Sequence, residues 1–500
     1  MATIDSTDQR QTPLLSALRD AARRPHAAFY TPGHRRGQGA SPDLQALLGA
    51  AALAADLTEL PELDNLFAAE GVIAAAQELA AKAFGADQTW FLTNGSTCGL
   101  EAAILATCLP GETILVPRNA HQSIISGLVL AGAHPVFLQP DYSGDLDLVL
   151  GMAPETVAKA LTDYPESRAV LVVSPTYHGV CSDLAAIAAI THRHNIPLLV
   201  DGAHGPHFGC HPDLPAAALS QGADLVVQST HKVLGALTQA AMLHCQGDRV
   251  DRDRLRRALQ LTQSSSPSYL LLASLDAARH QLATAGETLL TTSLELAQDL
   301  HQHIEQIPNL TVFSKPQLLK YPSVADLDLT RLTIDVSDLG ISGLEADDYL
   351  HHHLGVTVEL AELHHLTLII SWGNTPGDIQ RCHQGLTRLA ARQTQAPSLR
   401  QRKRLFSQPS SSPYSRPQLS PRQAFFGPHL TLPAPQALGQ VSAETIAAYP
   451  PGIPTLLAGE TITSTALEQL TQLKQLGAYL SGAGDPSLET LQVLPTSPRG

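Results

Sequence analysis

Residues 197–232 read PLLVDGAHGPHFGCHPDLPAAALSQGADLVVQSTHK. Two short apolar runs end on polar residues, the first on Asp201 and the second on the turn Ser229-Thr230-His231-Lys232. Short aliphatic runs bounded by Gly, Pro and polar clusters mark strands buried on both faces, as in a parallel sheet covered by helices. In such sheets ligands gather beyond the carboxyl ends of the strands, so chemistry is expected where the runs stop.

The same rhythm extends in both directions. Strands are predicted at Thr89–Leu92, Thr113–Pro117, Pro135–Leu138, Ala169–Ser174, Pro197–Asp201, Asp224–Gln228 and Ala240–His244. Helical spacing lies between them at Gly99–Cys108, Gln122–Gly132 and Leu184–His194, before them at Leu44–Asp56 and Val72–Phe84, and after them at Pro267–Gln281 and Leu289–Ile307. The expected fold is α/β, with a mostly parallel seven-stranded sheet and helices on both faces.

The remaining organisation follows from composition. An N-terminal arm (1–50) precedes the large domain (51–307). A smaller α/β domain (308–395) carries predicted strands at Arg331–Val336, Val356–Leu360 and Leu366–Ser371 and a helix at Asp378–Gln393. Residues 396–423, which include LRQRKRLFSQPSSSPYSRPQLSPRQ, have linker composition, and 424–500 regain the apolar content of a C-terminal module.

The net charge of −14 argues against general nucleic-acid binding and favours small cationic ligands. No apolar run approaches the ~18 residues of a membrane span, and MATIDSTDQR lacks the pattern of a secretory leader, so a cytoplasmic protein is expected. The six cysteines are dispersed, without the density of a disulfide framework.

Three strand ends carry the chemistry. Thr93-Asn94-Gly95-Ser96-Thr97 combines close backbone approach, hydroxyls and a helix N-terminus, a plausible phosphate cup, although Ser and Thr are equally routine helix caps. Asp201 is a carboxylate closing an apolar run, where it needs either a structural ion pair or a cationic ligand. Lys232 is an amine at a third strand end, suited to Schiff-base chemistry. Each alone is common; together they match what pyridoxal 5'-phosphate requires, an anion site, a partner for its ring nitrogen and an amine for its aldehyde.

At these residues the chain closely resembles the Orn/Lys/Arg decarboxylases, fold-type I pyridoxal-phosphate enzymes, in their short form without an N-terminal wing domain. The similar segments are FYTPGHRRGQG (29–39), DLTELPELDNLF (56–67), TNGSTCGLEAAI (93–104), PRNAHQSIISGL (117–128), SPTYHGVCSDL (174–184), DGAHGPHFG (201–209), QSTHKVLGALTQ (228–239) and YPPGIPTLLAGE (449–460). The resemblance implies that Lys232 carries the cofactor as a Schiff base, Asp201 pairs with the pyridine nitrogen, and His121 stacks on the ring. It further implies that Gly95, Ser96, Thr97 and Ser229 bind phosphate, and that Ala203 packs behind the ring. His204 would lie near the phenolic oxygen, His231 beside the Schiff base, and Glu460 near the substrate's distal cation. His178 and Ala458 depart from the family pattern, where Tyr or Asp and Pro are expected.

The implied activity is decarboxylation of a basic amino acid feeding polyamine synthesis, with arginine favoured over lysine and ornithine third. A homodimer or larger homo-oligomer is implied, with the PGHRRG segment near a partner's site, and no nucleic-acid or membrane partner. The residues alone leave open an aminotransferase or a β-eliminating lyase. Two remoter readings are a metal hydrolase built on His204, His207, His211 and the run His351–His353, and a cofactor-binding regulator without catalysis.

Overall fold

The computed structural model describes residues 8–392, 414–449, 452–475 and 477–495. They form two compact units: residues 8–106, 199–212 and 216–289 in the first, and 107–198, 213–215 and the described residues from 290 onward in the second.

In the first unit the strand Leu225–Gln228 runs parallel to the end of Leu198–Asp201, with Asp201 beside Val227. Both runs are wholly buried, as their composition demands. The parallel register brings their carboxyl ends to one edge, which sets Asp201 and the Ser229–Lys232 turn side by side. The strand Ala241–Cys245 then runs antiparallel both to Leu225–Gln228 and to Gln88–Leu92. The reversal follows from the connection. Between Ser229 and Ala240 the only helix is the four-residue Thr230–Val233, too little to cross over the sheet, and a parallel return needs a crossover of about a dozen residues, usually helical.

Helix Gly95–Thr107 follows Gln88–Leu92 through a turn at Gly95, whose φ of 72° suits a residue without a side chain. A Cβ at Gly99 would fall 2.7 Å from Leu92 Cδ1 and 2.8 Å from Val227 Cγ1. The helix therefore lies directly on the strands, and its N-terminus is held at the same sheet edge. Leu14 and Leu18 of helix Pro13–Arg23 enter a core with Ile73, Phe91, Met242, Tyr269 and Leu272. Asp276 accepts the backbone N–H groups of Leu14 and Leu15, and Arg279 donates to the carbonyls of Gln9 and Gln11, so a buried ion pair fixes the start of that helix.

The two helices expected at Pro267–Gln281 and Leu289–Ile307 are one helix of 37 residues, Tyr269–Glu305. The gap left between the two expected helices, 282–288, contains Gly286. Yet an interior glycine costs only about 1 kcal/mol, less than a helix packed along its length gains.

In the second unit Thr113–Pro117 is parallel to His134–Leu138 and, at Leu115, to the strand Val170–Val173. All seven expected strands are thus present across the two units, giving a mixed α/β fold whose pairings outside Ala241–Cys245 are mainly parallel. A short strand, Tyr414–Ser415, is added antiparallel to Phe137–Leu138, and Pro421–Phe426 is a helix. The strand lies in the segment read as linker, 396–423, and the helix straddles its end; residues 396–413 are outside the described residues. Ser420-Pro421-Arg422-Gln423 forms a capping box, a local helix signal that composition alone hides.

The smaller sheet pairs Arg331–Asp335 with His365–Ile369 and, at its edges, Thr311–Val312 and Leu360–Ala361. The strand expected at Val356–Leu360 is displaced by a helical turn, Leu350–Leu354, which ends on Gly355 in left-handed conformation. The C-terminal residues close a separate core around Ile446, Leu456, Ile462, Leu470 and Leu491. No described helix is long and apolar enough to cross a membrane.

Candidate active site

Three strand ends converge in the first unit. Gly95 and Ser96 open their helix half-buried, and Thr97, on the same turn, is exposed. Ser229 reaches across from its own strand end and donates Oγ–H to Ser96 Oγ at 2.9 Å. Two hydroxyls and the first N–H groups of a thirteen-residue helix thus meet at one point, where the helix dipole favours an anion. Gln239, with φ of 84°, donates to Thr93 O at 2.6 Å and ties the loop in front of this point.

Asp201 is only 5% exposed. Burial pushes its carboxyl above the ordinary value, while the Lys232 charge and the Ala203 N–H, at 3.2 Å from Oδ1, pull it back. A buried carboxylate whose charge is only partly compensated is a site for a further cation. Ala203 is buried behind it, and its carbonyl accepts the Ser229 N–H, which locks the two strand ends together.

Lys232 Nζ lies 3.0 Å from His204 Nε2. An ammonium can only donate, so His204 Nε2 accepts and the ring proton sits on Nδ1, a tautomer assigned from the bonding. His231 directs Nδ1 at the Ala240 carbonyl, 2.9 Å away, which assigns its proton to Nδ1 and fixes the ring. Thr230 Oγ1 is buried and has no hydrogen-bond partner among the described residues.

Sequence reasoning missed what supports this edge from below. Gln228 donates Nε2–H to the Gly205 carbonyl and accepts from His244 Nε2 at 3.1 Å, and Thr89 Oγ1 meets His244 Nδ1 at 2.8 Å. Burial lowers the His244 imidazole to about 3, so it is neutral and its two nitrogens serve one donor and one acceptor role. The chain of bonds braces the turn 202–205 that carries Ala203 and His204. Its signal was polar residues inside buried strands, with Thr89 and His244 directly paired.

The other expected residues belong to the second unit. His121 is the N-cap of helix Gln122–Ala131, its Nδ1 accepting the Ser123 N–H. Glu460 Oε2 faces Arg118 at 3.2 Å and accepts the Leu457 N–H. His178 is buried, 3.3 Å from Glu362 and 3.2 Å from Thr367 Oγ1. Burial holds its imidazole below the ordinary value, helped by His365 and Arg331 and opposed by Glu362. Burial alone would raise the Glu362 carboxyl, but His178, His365 and His364 together keep it low. Ala458 packs with Ala424 and Leu494.

Three histidines of the metal reading have other partners. His204 faces Lys232, the His207 ring lies tilted against Phe208 with centroids 4.8 Å apart, and His351 bonds Thr357. Among the described residues no group of three or more His, Cys, Asp or Glu has the geometry to hold a metal ion.

Comparison with known proteins gives a consistent picture. The family model "Orn/Lys/Arg decarboxylase, major domain" matches residues 12–378, and "Orn/Lys/Arg decarboxylase, C-terminal domain" matches 400–482. The chain is 35% identical to an arginine decarboxylase of Bacillus subtilis, over 97% of this chain and 98% of that protein. It is 37% identical to an arginine decarboxylase of Halalkalibacterium halodurans, with the same shares. The crystal structure of a lysine decarboxylase from Francisella novicida superposes with a TM-score of 0.82 at 22% identity, over 96% of this chain and 80% of that one, a likeness of fold.

Proposed function

The chain belongs to the Orn/Lys/Arg decarboxylase family and is an amino-acid decarboxylase; from that premise we propose that it converts arginine to agmatine and CO₂, using pyridoxal 5'-phosphate carried on Lys232. The observation that supports this reading most is the grouping of a buried, undercompensated carboxylate, an amine and a hydroxyl-lined helix N-terminus on one sheet edge of the first unit. Arginine is favoured because the Bacillus subtilis and Halalkalibacterium halodurans relatives, matched over nearly their whole length at 35% and 37% identity, bear the name arginine decarboxylase.

The residues present fit the cofactor. The Ser96 and Ser229 hydroxyls, with Gly95 and Thr97 at the helix start, offer donors for its phosphate. Asp201 supplies the negative charge that a protonated pyridine needs, and such a cation answers the uncompensated burial of its carboxyl. The Thr230 hydroxyl, two residues before the lysine in sequence, is a further buried polar atom left to satisfy.

When bound, that cofactor supplies a protonated ring able to accept the electron pair left as the Cα–carboxylate bond breaks. The protein's own residues do the rest. His204 accepts a hydrogen bond from Lys232 Nζ and can take a proton from it, leaving the amine able to react. His231, held by the Ala240 carbonyl, stands next in sequence to the lysine, and Lys232 Nζ or His231 returns one proton to Cα in place of the lost CO₂. His121 is assigned to the ring face and Glu460 to the substrate's guanidinium, with Arg118 orienting its carboxylate.

We further propose a homodimer. Leu44, Leu47 and Leu48 of helix Pro42–Ala55, with Phe29 in the preceding loop, are exposed, an apolar group that a second copy would cover. The activity is tested by an equimolar mixture of arginine, lysine and ornithine: agmatine and CO₂ are expected without keto acid. Cadaverine or putrescine as the main product would transfer the assignment to lysine or ornithine, and keto acid would point to an aminotransferase. Light scattering at a monomer mass with full activity would refute the dimer.

A further inference from the structure

The C-terminal module and the segment leading into it meet residues 118–138 of the second unit at three points. Arg118 lies in the short loop between the strand Thr113–Pro117 and the N-cap His121. Its guanidinium donates to the carbonyls of Pro454 at 2.6 Å and Thr455 at 3.1 Å, and pairs with Glu460 at 3.2 Å. The plane also lies 5.9 Å from the Phe137 ring centroid, and the Arg118 N–H is tied to Leu138 O. A half-buried arginine with three oxygen partners has little freedom left.

The far end of the same helix is held from the segment that leads into that module. Arg422, on the capped helix Pro421–Phe426, donates to the carbonyls of Val129 and Leu130 at 3.0 and 3.1 Å. These belong to the last turn of Gln122–Ala131, whose orphan carbonyls and negative dipole end favour a cation. The pairing of Tyr414–Ser415 with Phe137–Leu138 adds a third attachment, on the strand that follows the helix.

We propose that the C-terminal module is a positioning device for His121, with Arg118 and Arg422 holding its helix at both ends. The inference rests on the reading of His121 as the residue that faces the cofactor ring. His121 is the N-cap, so any slide of the helix along its axis moves the imidazole by the same amount. The loop 118–120 has two backbone ties, Arg118 N–H to Leu138 O and Ala120 N–H to Pro117 O, and the side-chain contacts of Arg118 add to them. Arg118 supplies the tie at the His121 end. Arg422 stops the helix from sliding at the other. The lever matters because a group supporting a ring must be held within about 0.5 Å of its working position.

The test is a double-mutant cycle on the full-length holoenzyme, read by the affinity for added pyridoxal 5'-phosphate, the cofactor's visible absorption band and the split between kcat and KM. Arg118→Ala and Arg422→Ala are each expected to weaken cofactor binding on the order of tenfold, the scale for residues that orient a ligating group. They should move the absorption band in the same direction as His121→Ala. In the His121→Ala background the same substitutions should change affinity by no more than about twofold, within ordinary additivity error. Arg118→Lys should recover part of the loss. A full-sized loss in the His121→Ala background, or none in either, overturns the proposal. If His121→Ala itself leaves affinity and absorption at wild-type values, the ring-facing reading of His121 fails and takes the proposal with it, an outcome distinct from additivity. Should Arg118→Ala not fold, Arg118→Lys and Arg422→Ala complete the same cycle.

Discussion

Replacing Asp201 by asparagine separates what the cofactor needs from what the fold needs. The carboxyl is buried, and burial pushes its pKa above the ordinary 3.8, with Lys232 and the Ala203 N–H acting in the opposite sense. A folded-state pKa above the unfolded one means that the ionised group opposes folding at neutral pH. That cost is absent below pH 3.8 and grows as pH rises through the folded value. Asparagine keeps the shape and an oxygen for the Ala203 N–H, so the cofactor-free variant is expected to melt at or above the wild type at pH 7.5. The gain is about 1–3 kcal/mol, the cost of an imperfectly satisfied buried polar group. Activity goes the other way. Opposite charges about 4 Å apart at an effective dielectric near 20 interact by about 4 kcal/mol, so losing the charge partner of the ring should lower kcat by about 10³. Calorimetry with and without cofactor, together with CO₂ release, measures both arms. Cofactor-free Asp201→Asn that melts far below wild type while activity stays within about tenfold would mean that Asp201 serves the fold, and the assignment to the ring nitrogen would be wrong.

Arg279→Ala removes one half of a fully buried ion pair that fixes helix Pro13–Arg23, and should cost about 3–5 kcal/mol by urea unfolding; a loss under about 1 kcal/mol would show the pair dispensable. Gly99→Ala drives a methyl to within 2.7 Å of Leu92 and should destabilise by about 1–3 kcal/mol while weakening the hold on cofactor phosphate, since the same helix begins at Gly95; unchanged stability would refute the tight helix–sheet contact. The buried His178 gives stability an acid limb. Its folded pKa is lowered, so it is neutral in the folded state where the unfolded chain takes up a proton, and stability should fall as pH drops through 6.5, by up to about 1.4 kcal/mol per pH unit. Glu362, with its carboxyl held low, adds a loss further down, below 4.5. His178→Gln should flatten the upper part of that limb in melting curves between pH 7.5 and 5, and an unchanged slope would assign it to other groups.

Strand ends made the first unit's site legible. Asp201 and Lys232 stood out because ionisable residues closing apolar runs must be answered by something, and the parallel register answers both at one edge. The same rule, applied one residue earlier, would have found the network beneath: Gln228 and His244 are polar residues inside buried strands, and each is matched by a partner on a neighbouring strand or turn. What the sequence did not carry was direction and reach. Nothing in Ala241–Cys245 itself says that it runs antiparallel; only the short connection before it does. Arg118 and Arg422 carry no such signal, because four of their five oxygen partners are backbone carbonyls, and any residue type supplies a carbonyl. A site on adjacent strand ends is therefore written in residue types, whereas a clamp made of arginines on backbone oxygens is written in the fold. On this reading the catalytic edge of the first unit was open to inference from local sequence, and the support of His121 in the second unit required the structure.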